Sequence, residues 1–203
     1  MASCRVLAAV VVLLAISWRP SFAAPIHDAA RQGDLQSVTA NLDNGVGVDA
    51  SDANGETPLM AASLAGRSDV VAFLIKRGAK IDARNNRGLT ALHAACYAGD
   101  MSSVELLVQA GANVNDAENN FKVTPLIIAA ESDHPLVITY LVRHDANLEW
   151  KERGGYTALS RALFKKHGSA IEALLRSGAT CQPEATIGGW ARDCVEHSAA
   201  IPK

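Results

Sequence analysis

A triplet of the form Thr-(Pro/Ala)-Leu returns four times in this chain, at Thr57-Pro58-Leu59, Thr90-Ala91-Leu92, Thr124-Pro125-Leu126 and Thr157-Ala158-Leu159, with spacings of 33, 34 and 33 residues. A period of that length means one supersecondary unit copied along the chain, because each copy is too small to enclose a core and must lean on its neighbours. A degraded copy precedes them: Pro25-Ile26-His27-Asp28-Ala29-Ala30-Arg31-Gln32-Gly33-Asp34 lines up with Pro58 to Arg67. Only 5% of residues are aromatic while 49% are hydrophobic, so the interior is built from small and aliphatic side chains at close range.

Each copy can be read locally. Thr57 is placed to cap a helix whose first position, Pro58, spends no backbone donor, and Gly66 can supply the left-handed residue that ends it. A second helix is predicted from about Asp69 to Lys76, stopping at Gly78 before an extended polar excursion over Ala79 to Arg87. Leu59, Ala62, Val70, Val71, Leu74 and Ile75 form an apolar stripe too wide for one helical hairpin to hide. Stacking of successive copies therefore has to supply the core.

These residues resemble the ankyrin repeat, over about residues 24–181. The fullest copies run from Gly55-Glu56-Thr57-Pro58-Leu59 to Ala79, and from Thr90-Ala91-Leu92-His93-Ala94-Ala95 to Gly111-Ala112-Asn113-Val114-Asn115. The resemblance implies an all-α repeat solenoid of stacked helix-turn-helix units with finger loops. About five units are expected, including degenerate caps, at roughly 24–54, 55–87, 88–121, 122–154 and 155–181, with 182–203 as a C-terminal cap or tail. It also makes His93, and similarly His27, a structural histidine bonding between neighbouring turns and loops.

Departures from the pattern carry expectations of their own. Asp133 and Asp145 stand where glycine ends the helices of other copies, and an Asp can adopt a left-handed backbone at some cost. Lys166 at the equivalent place in the last copy predicts strain or a lengthened helix, and an irregular unit. One residue is inserted within Asn115 to Val123, so the finger bearing Phe121 is expected to bulge.

The first 23 residues lie outside this scheme. Arg5, the apolar run Val6 to Ile16, and small residues at Ser21 and Ala23 read as a secretory signal peptide cleaved after Ala23. Its 11-residue run is about 16 Å long as a helix, against a hydrocarbon core of about 30 Å, so no membrane span is expected once it is removed. The brief, weakly charged leader looks bacterial, which would make the destination the periplasm; secretion from a eukaryotic cell is the other option. Removing Arg5 and Arg19 leaves 17 basic and 21 acidic residues, a net charge of −4, with no basic block dense enough for nucleic acid.

Export permits disulfides, and the mature chain keeps an odd three cysteines. Cys181 and Cys194 lie 13 positions apart, where a bridge would clamp the tail; two unpaired thiols are the alternative. Cys96 occupies a slot held by Ala or Ser in other copies and is read as a buried free thiol. No nucleophile elbow, phosphate-cradling glycine loop or Cys-x-x-Cys pair is present. His134 and His144 bracket one helix, too far apart to share an ion. Neither a catalytic residue, a metal nor a cofactor is expected.

In ankyrin-like arrays the partner meets the finger tips and the exposed ends of the first helices. Mapped onto this sequence, the resemblance points to Arg31, Leu64, Tyr97, Glu131 and Phe164 on the helices, and to Arg87, Phe121, Trp150, Arg153 and Tyr156 on the fingers. Large aromatics beside arginines are typical interface anchors. The competing reading has Phe164 and Trp150 filling gaps between irregular copies. The chain is similar to small exported ankyrin proteins, which implies a monomeric scaffold for another protein. Some of those support catalase and peroxide resistance; others are immunity proteins that block a periplasmic toxic effector such as a lipase. An unrecognised hydrolase is the remaining alternative and would need a convergent polar pocket.

Overall fold

The computed structural model describes residues 25–200, so the leader and its cleavage after Ala23 lie outside the described residues. Ten helices form five antiparallel pairs: α1 (Ile26–Gln32) with α2 (Leu35–Asp43), α3 (Pro58–Leu64) with α4 (Ser68–Lys76), α5 (Ala91–Ala98) with α6 (Met101–Gln109), α7 (Pro125–Glu131) with α8 (Pro135–Arg143), and α9 (Ala158–Lys165) with α10 (Gly168–Arg176). Two shorter elements, α11 (Glu184–Ile187) and α12 (Trp190–Ala200), close the C-terminal end. There is no strand among the described residues, and no helix there is long and apolar enough to cross a membrane.

The repeated threonine starts the first helix of each unit for the reason its chemistry gives. Thr57, Thr124 and Thr157 accept a hydrogen bond at Oγ1 from the backbone N–H three residues on, at 3.3, 3.3 and 3.4 Å. Asp34 and Asp100 do the same for α2 and α6, accepting from Ser37 and Ser103 N–H. Helices of seven to nine residues are too short to persist alone, so packing must hold them. The first helices stack in order from α1 to α9, burying the column Ile26, Leu59, Leu92, Leu126 and Leu159. The second helices bury Val38, Val71, Val104, Ile138 and Ile171 beside them.

The fingers are tied together by backbone. Asn86 N–H donates to Asn54 C=O at 2.9 Å, Asn120 N–H to Arg87 C=O at 3.1 Å, and Arg153 N–H to Phe121 C=O at 2.9 Å. Within a finger, Asp52, Asn85 and Asn119 each accept at one side-chain oxygen from the N–H groups two and four residues on, which turns the chain. The approach is close enough that a Cβ on Gly88 would lie 2.7 Å from Asn119 Cα, and Gly88 also has a φ of +81°.

Two expectations are corrected. The fifth unit is regular: Lys166 takes the left-handed conformation itself, at φ 59°, and α9 ends after eight residues as α5 does. The misfit is held as backbone strain of roughly 1–2 kcal/mol rather than as a longer helix. Nor does the finger bulge at Phe121. Asn119 to Thr124 spans the same five positions as Asn85 to Thr90, whereas Asn113 to Asn119 takes six against five from Lys80 to Asn85. The extra residue lies in the arm before the tip, where it brings Asp116 inward. Lys122, at φ 54°, fills the left-handed tip position held by Gly88 in the preceding finger.

The last unit has no following finger, and the tail supplies the missing partners. Gln182 Oε1 accepts from Thr157 N–H at 3.2 Å and from the Ser160 hydroxyl, while its Nε2 donates to Gly155 C=O at 3.0 Å. Cys181 and Cys194 are joined in a disulfide, with their Cα atoms 5.9 Å apart, and Cys96 is buried and free. Trp190 meets Phe164 edge-on, which in turn meets Tyr156. By loop-closure entropy, a bridge across 13 positions is worth about 3 kcal/mol. Replacing both cysteines with serine is expected to lower unfolding stability by about that amount in urea titrations followed by circular dichroism. A loss under 1 kcal/mol would mean that Gln182 and Trp190 hold the cap unaided.

Candidate partner-binding site

Packing consumes most of each unit, and what is left uncovered is the angle between the fingers and the first helices. There the ends of α3 and α5 and two fingers enclose a groove of about 420 Å³, with Leu64, Leu89, Tyr97 and Ile128 supplying its apolar wall and Asn54 and Arg87 its finger edge. It continues past Tyr97 and Ile128 into a second depression of about 590 Å³ that reaches Glu131, His134 and Lys165. Tyr97 is 62% exposed, Phe121 53% and Leu64 40%, so the stack leaves a large part of each apolar side chain uncovered.

The residues expected from the sequence fall into three groups. Leu64, Arg87, Tyr97 and Glu131 are brought together along the groove, with Phe121 exposed on the neighbouring finger tip. Arg31 stands at the N-terminal end, bonded to Asp28 at 3.2 Å and Glu56 at 3.0 Å, with Asp52 at 3.6 Å. Trp150, Tyr156 and Phe164 are half-buried against the core toward the C-terminal end. Trp150 Nε1 donates to Lys122 C=O at 2.8 Å, and Arg161 sits 5.5 Å from the Tyr156 ring centre. Arg153 is exposed on its tip, with Nη1 donating to Asn120 C=O at 3.2 Å. Ile128 is the groove residue that sequence reading passed over. Its signal is its place three residues before Glu131 on the same helix, hence on the same face.

Beneath the groove lies a buried polar cluster. His93 Nδ1 accepts from Thr90 N–H at 3.3 Å and pairs with Thr90 Oγ1 at 2.9 Å, while Nε2 bonds Val123 C=O at 3.1 Å. The ring thus joins its own helix start to the next finger, as the resemblance implied. These partners suit a neutral imidazole with its proton on Nε2, and burial pushes the His93 pKa below its usual value against the pull of Asp116. Asp116 is bonded to Arg84 at 2.7 Å. Burial opposes its charge, but Arg84 and the Glu118 N–H outweigh that and keep the carboxyl below its ordinary range. His27 Nε2 bonds Ala50 C=O at 2.8 Å in the first unit. His134 and His167 reach back to Tyr97 C=O and Glu131 C=O of the preceding units. No group of His, Cys, Asp and Glu among the described residues could hold a metal ion.

Comparison with known families finds that the model for ankyrin repeats, in three copies, matches residues 26–118 and 115–185. Comparison with curated proteins finds no match.

The histidine pocket makes the fold acid-sensitive with a defined sign. A folded-state pKa below the unfolded value of about 6.5 means that the unfolded chain binds the extra proton first, so stability falls as pH drops below about 6.5 toward the folded pKa. The His93→Gln variant is expected to lose that component. Urea midpoints of the two proteins at pH 7.5 and 5.0 measure it, and equal pH slopes would show that His93 is not the group responsible.

Proposed function

The chain belongs to the ankyrin-repeat family, and from that premise we propose that it is an exported, monomeric scaffold that holds another protein along the groove and has no catalytic centre. The observation that supports this reading is the pair Leu64 and Tyr97, exposed apolar side chains lining one continuous groove beside Arg87. Its family is typically a non-catalytic binding scaffold. The groove's histidine and carboxylate are committed elsewhere, as is Asn85, which weighs against the hydrolase alternative. Asn85 holds its own finger, both nitrogens of His93 are bonded within the stack, and Glu56 is engaged by Arg31.

For the cellular setting we propose the periplasm, or secretion, after cleavage following Ala23. The disulfide between Cys181 and Cys194 fits such an oxidising compartment. There the scaffold would support oxidative-stress defence together with catalase. The alternative is neutralisation of a toxic effector such as a lipase. A protein is favoured over nucleic acid as partner because the mature chain carries net negative charge and the centre of the groove is apolar.

Affinity capture from the exported fraction of the producing cell, with cross-linking and mass spectrometry, tests all of this at once. Recovery of catalase favours the first role, and recovery of a lipase or similar effector the second. The mature protein's mass should begin at Ala24. Two buried anchors at an interface are worth about 2 kcal/mol each, so Leu64→Ala with Tyr97→Ala is expected to weaken capture by about 1,000-fold. Both side chains are exposed, so its thermal midpoint should shift by only a few degrees. Undiminished capture by the double variant would place the binding surface elsewhere.

A further inference from the structure

We propose that the segment seated in this groove is an extended acidic peptide carrying an apolar anchor. This rests on the scaffold reading and adds the chemistry of the occupant. Three successive finger tips each present one cation: Arg87, Lys122 and Arg153, all exposed. The tips are in direct contact, since Asn120 N–H donates to Arg87 C=O and Arg153 N–H to Phe121 C=O, so the three cations stand on successive, touching tips. The side chains of Arg87 and Lys122 have no ion pair or hydrogen bond among the described residues. Arg153 spends one N–H on Asn120 C=O.

The nearby carboxylates pair with other arginines, two or more to each, and none among the described residues is within ion-pair distance of this row. Glu118 and Asp116 are bonded to Arg84 at 3.2 and 2.7 Å, and Glu152 to Arg161 at 3.1 Å. Glu131 lies 3.7 Å from Arg161, and Glu56 lies 3.0 Å from Arg31. A chain of net negative charge thus keeps three cations outside any ion pair on adjacent tips, with Arg87 beside the apolar wall of the groove. Three adjacent like charges gain nothing for the fold, and an anionic partner relieves their repulsion. The wall of Leu64, Leu89, Tyr97 and Ile128 takes a leucine-sized or aromatic side chain. Aspartates or glutamates flanking that anchor meet Arg87, with Lys122 and Arg153 next along the row.

Panning the mature protein against a random peptide library displayed on phage tests this without knowledge of the natural partner. Peptides with Asp or Glu flanking a Leu, Phe or Trp are expected. A synthetic peptide of the selected sequence should lose about tenfold in affinity when Arg87, Lys122 and Arg153 are all changed to Glu, and the loss should shrink at high salt. The charge-reversed protein should instead select Lys- and Arg-rich sequences. Should it fail to fold by circular dichroism, Arg87→Gln with Lys122→Gln touches no side-chain contact and answers the same question. Neutral or basic peptides that still require Tyr97 would overturn the acidic partner while leaving the scaffold reading intact. Absence of any Tyr97-dependent peptide would count against both. Binding of a fluorescent single-stranded oligonucleotide that the charge reversal removes would reassign the row to nucleic acid.

Discussion

No unit of this protein can cover its own apolar side, and that shortfall governs the rest of the structure. Leu59, Leu92, Leu126 and Leu159 are buried because an adjacent copy presents the same surface in the same register. Close approach demands small partners, which is why Ala29, Ala62, Ala95, Ala129 and Ala162 recur in the buried set. The same logic explains the ends. In the first unit Asn41 holds the place where Leu74, Leu107, Leu141 and Leu174 are buried in later units, and among the described residues no earlier unit packs against it. At the other end Gln182, the disulfide and Trp190 stand in for a sixth unit, satisfying Thr157 and closing over Phe164. Terminal units of such arrays need this treatment to stay soluble and cooperative.

Stacking also sets where polar chemistry can be placed. Each interface is sealed by hydrogen bonds whose partners lie about one period apart: Arg67 to Arg31 C=O, Arg84 to the Asp116 carboxylate, His93 to Val123 C=O, His134 to Tyr97 C=O and His167 to Glu131 C=O. Histidine suits this work because the neutral ring both donates and accepts, so it can cap its own helix with one nitrogen and reach the neighbour with the other. Three of the six histidines are thereby used as rivets between units; His27 ties its helix to Ala50 C=O within the first unit, and His144 folds back on its own helix at Tyr140 C=O.

What could be read from the sequence was what is local or periodic. Thr57 and Pro58 announce a helix start within a few residues, Gly66 and Gly78 its close, and the period fixes how many times that happens. The tail disulfide was legible as one of two options because its cysteines lie in one short segment outside the repeats. What escaped depends on distance in sequence. Asp116 lies in the stretch that reads only as carrying one extra finger residue until the stack brings it against Arg84, and His134 reads only as one of two histidines bracketing a helix until the preceding unit offers Tyr97 C=O. Ile128 was passed over because its position is filled by a small Ala61 and Ala94 in earlier copies, and only the curvature between helix and finger exposes it to the groove. Lys166 was legible as a misfit but not in its outcome, which the structure gives as a left-handed residue ending the helix.

The distinction that matters most for recognition lies among the arginines. Arg31, Arg84 and Arg161 each reach two carboxylates outside their own helix or finger: Asp52 and Glu56, Asp116 and Glu118, Glu131 and Glu152. Removing one of these would leave acids such as Asp116 and Glu152 buried without a counter-charge, a larger loss than any surface ion pair could offset. Those cations belong to the fold. Arg87, Lys122 and Arg153 have no such obligation, and they share an edge with the apolar side chains that packing also left unused. In a stack where nearly every position is claimed by a neighbour, unclaimed positions of complementary chemistry that adjoin one another are where selection for binding can act without cost to stability.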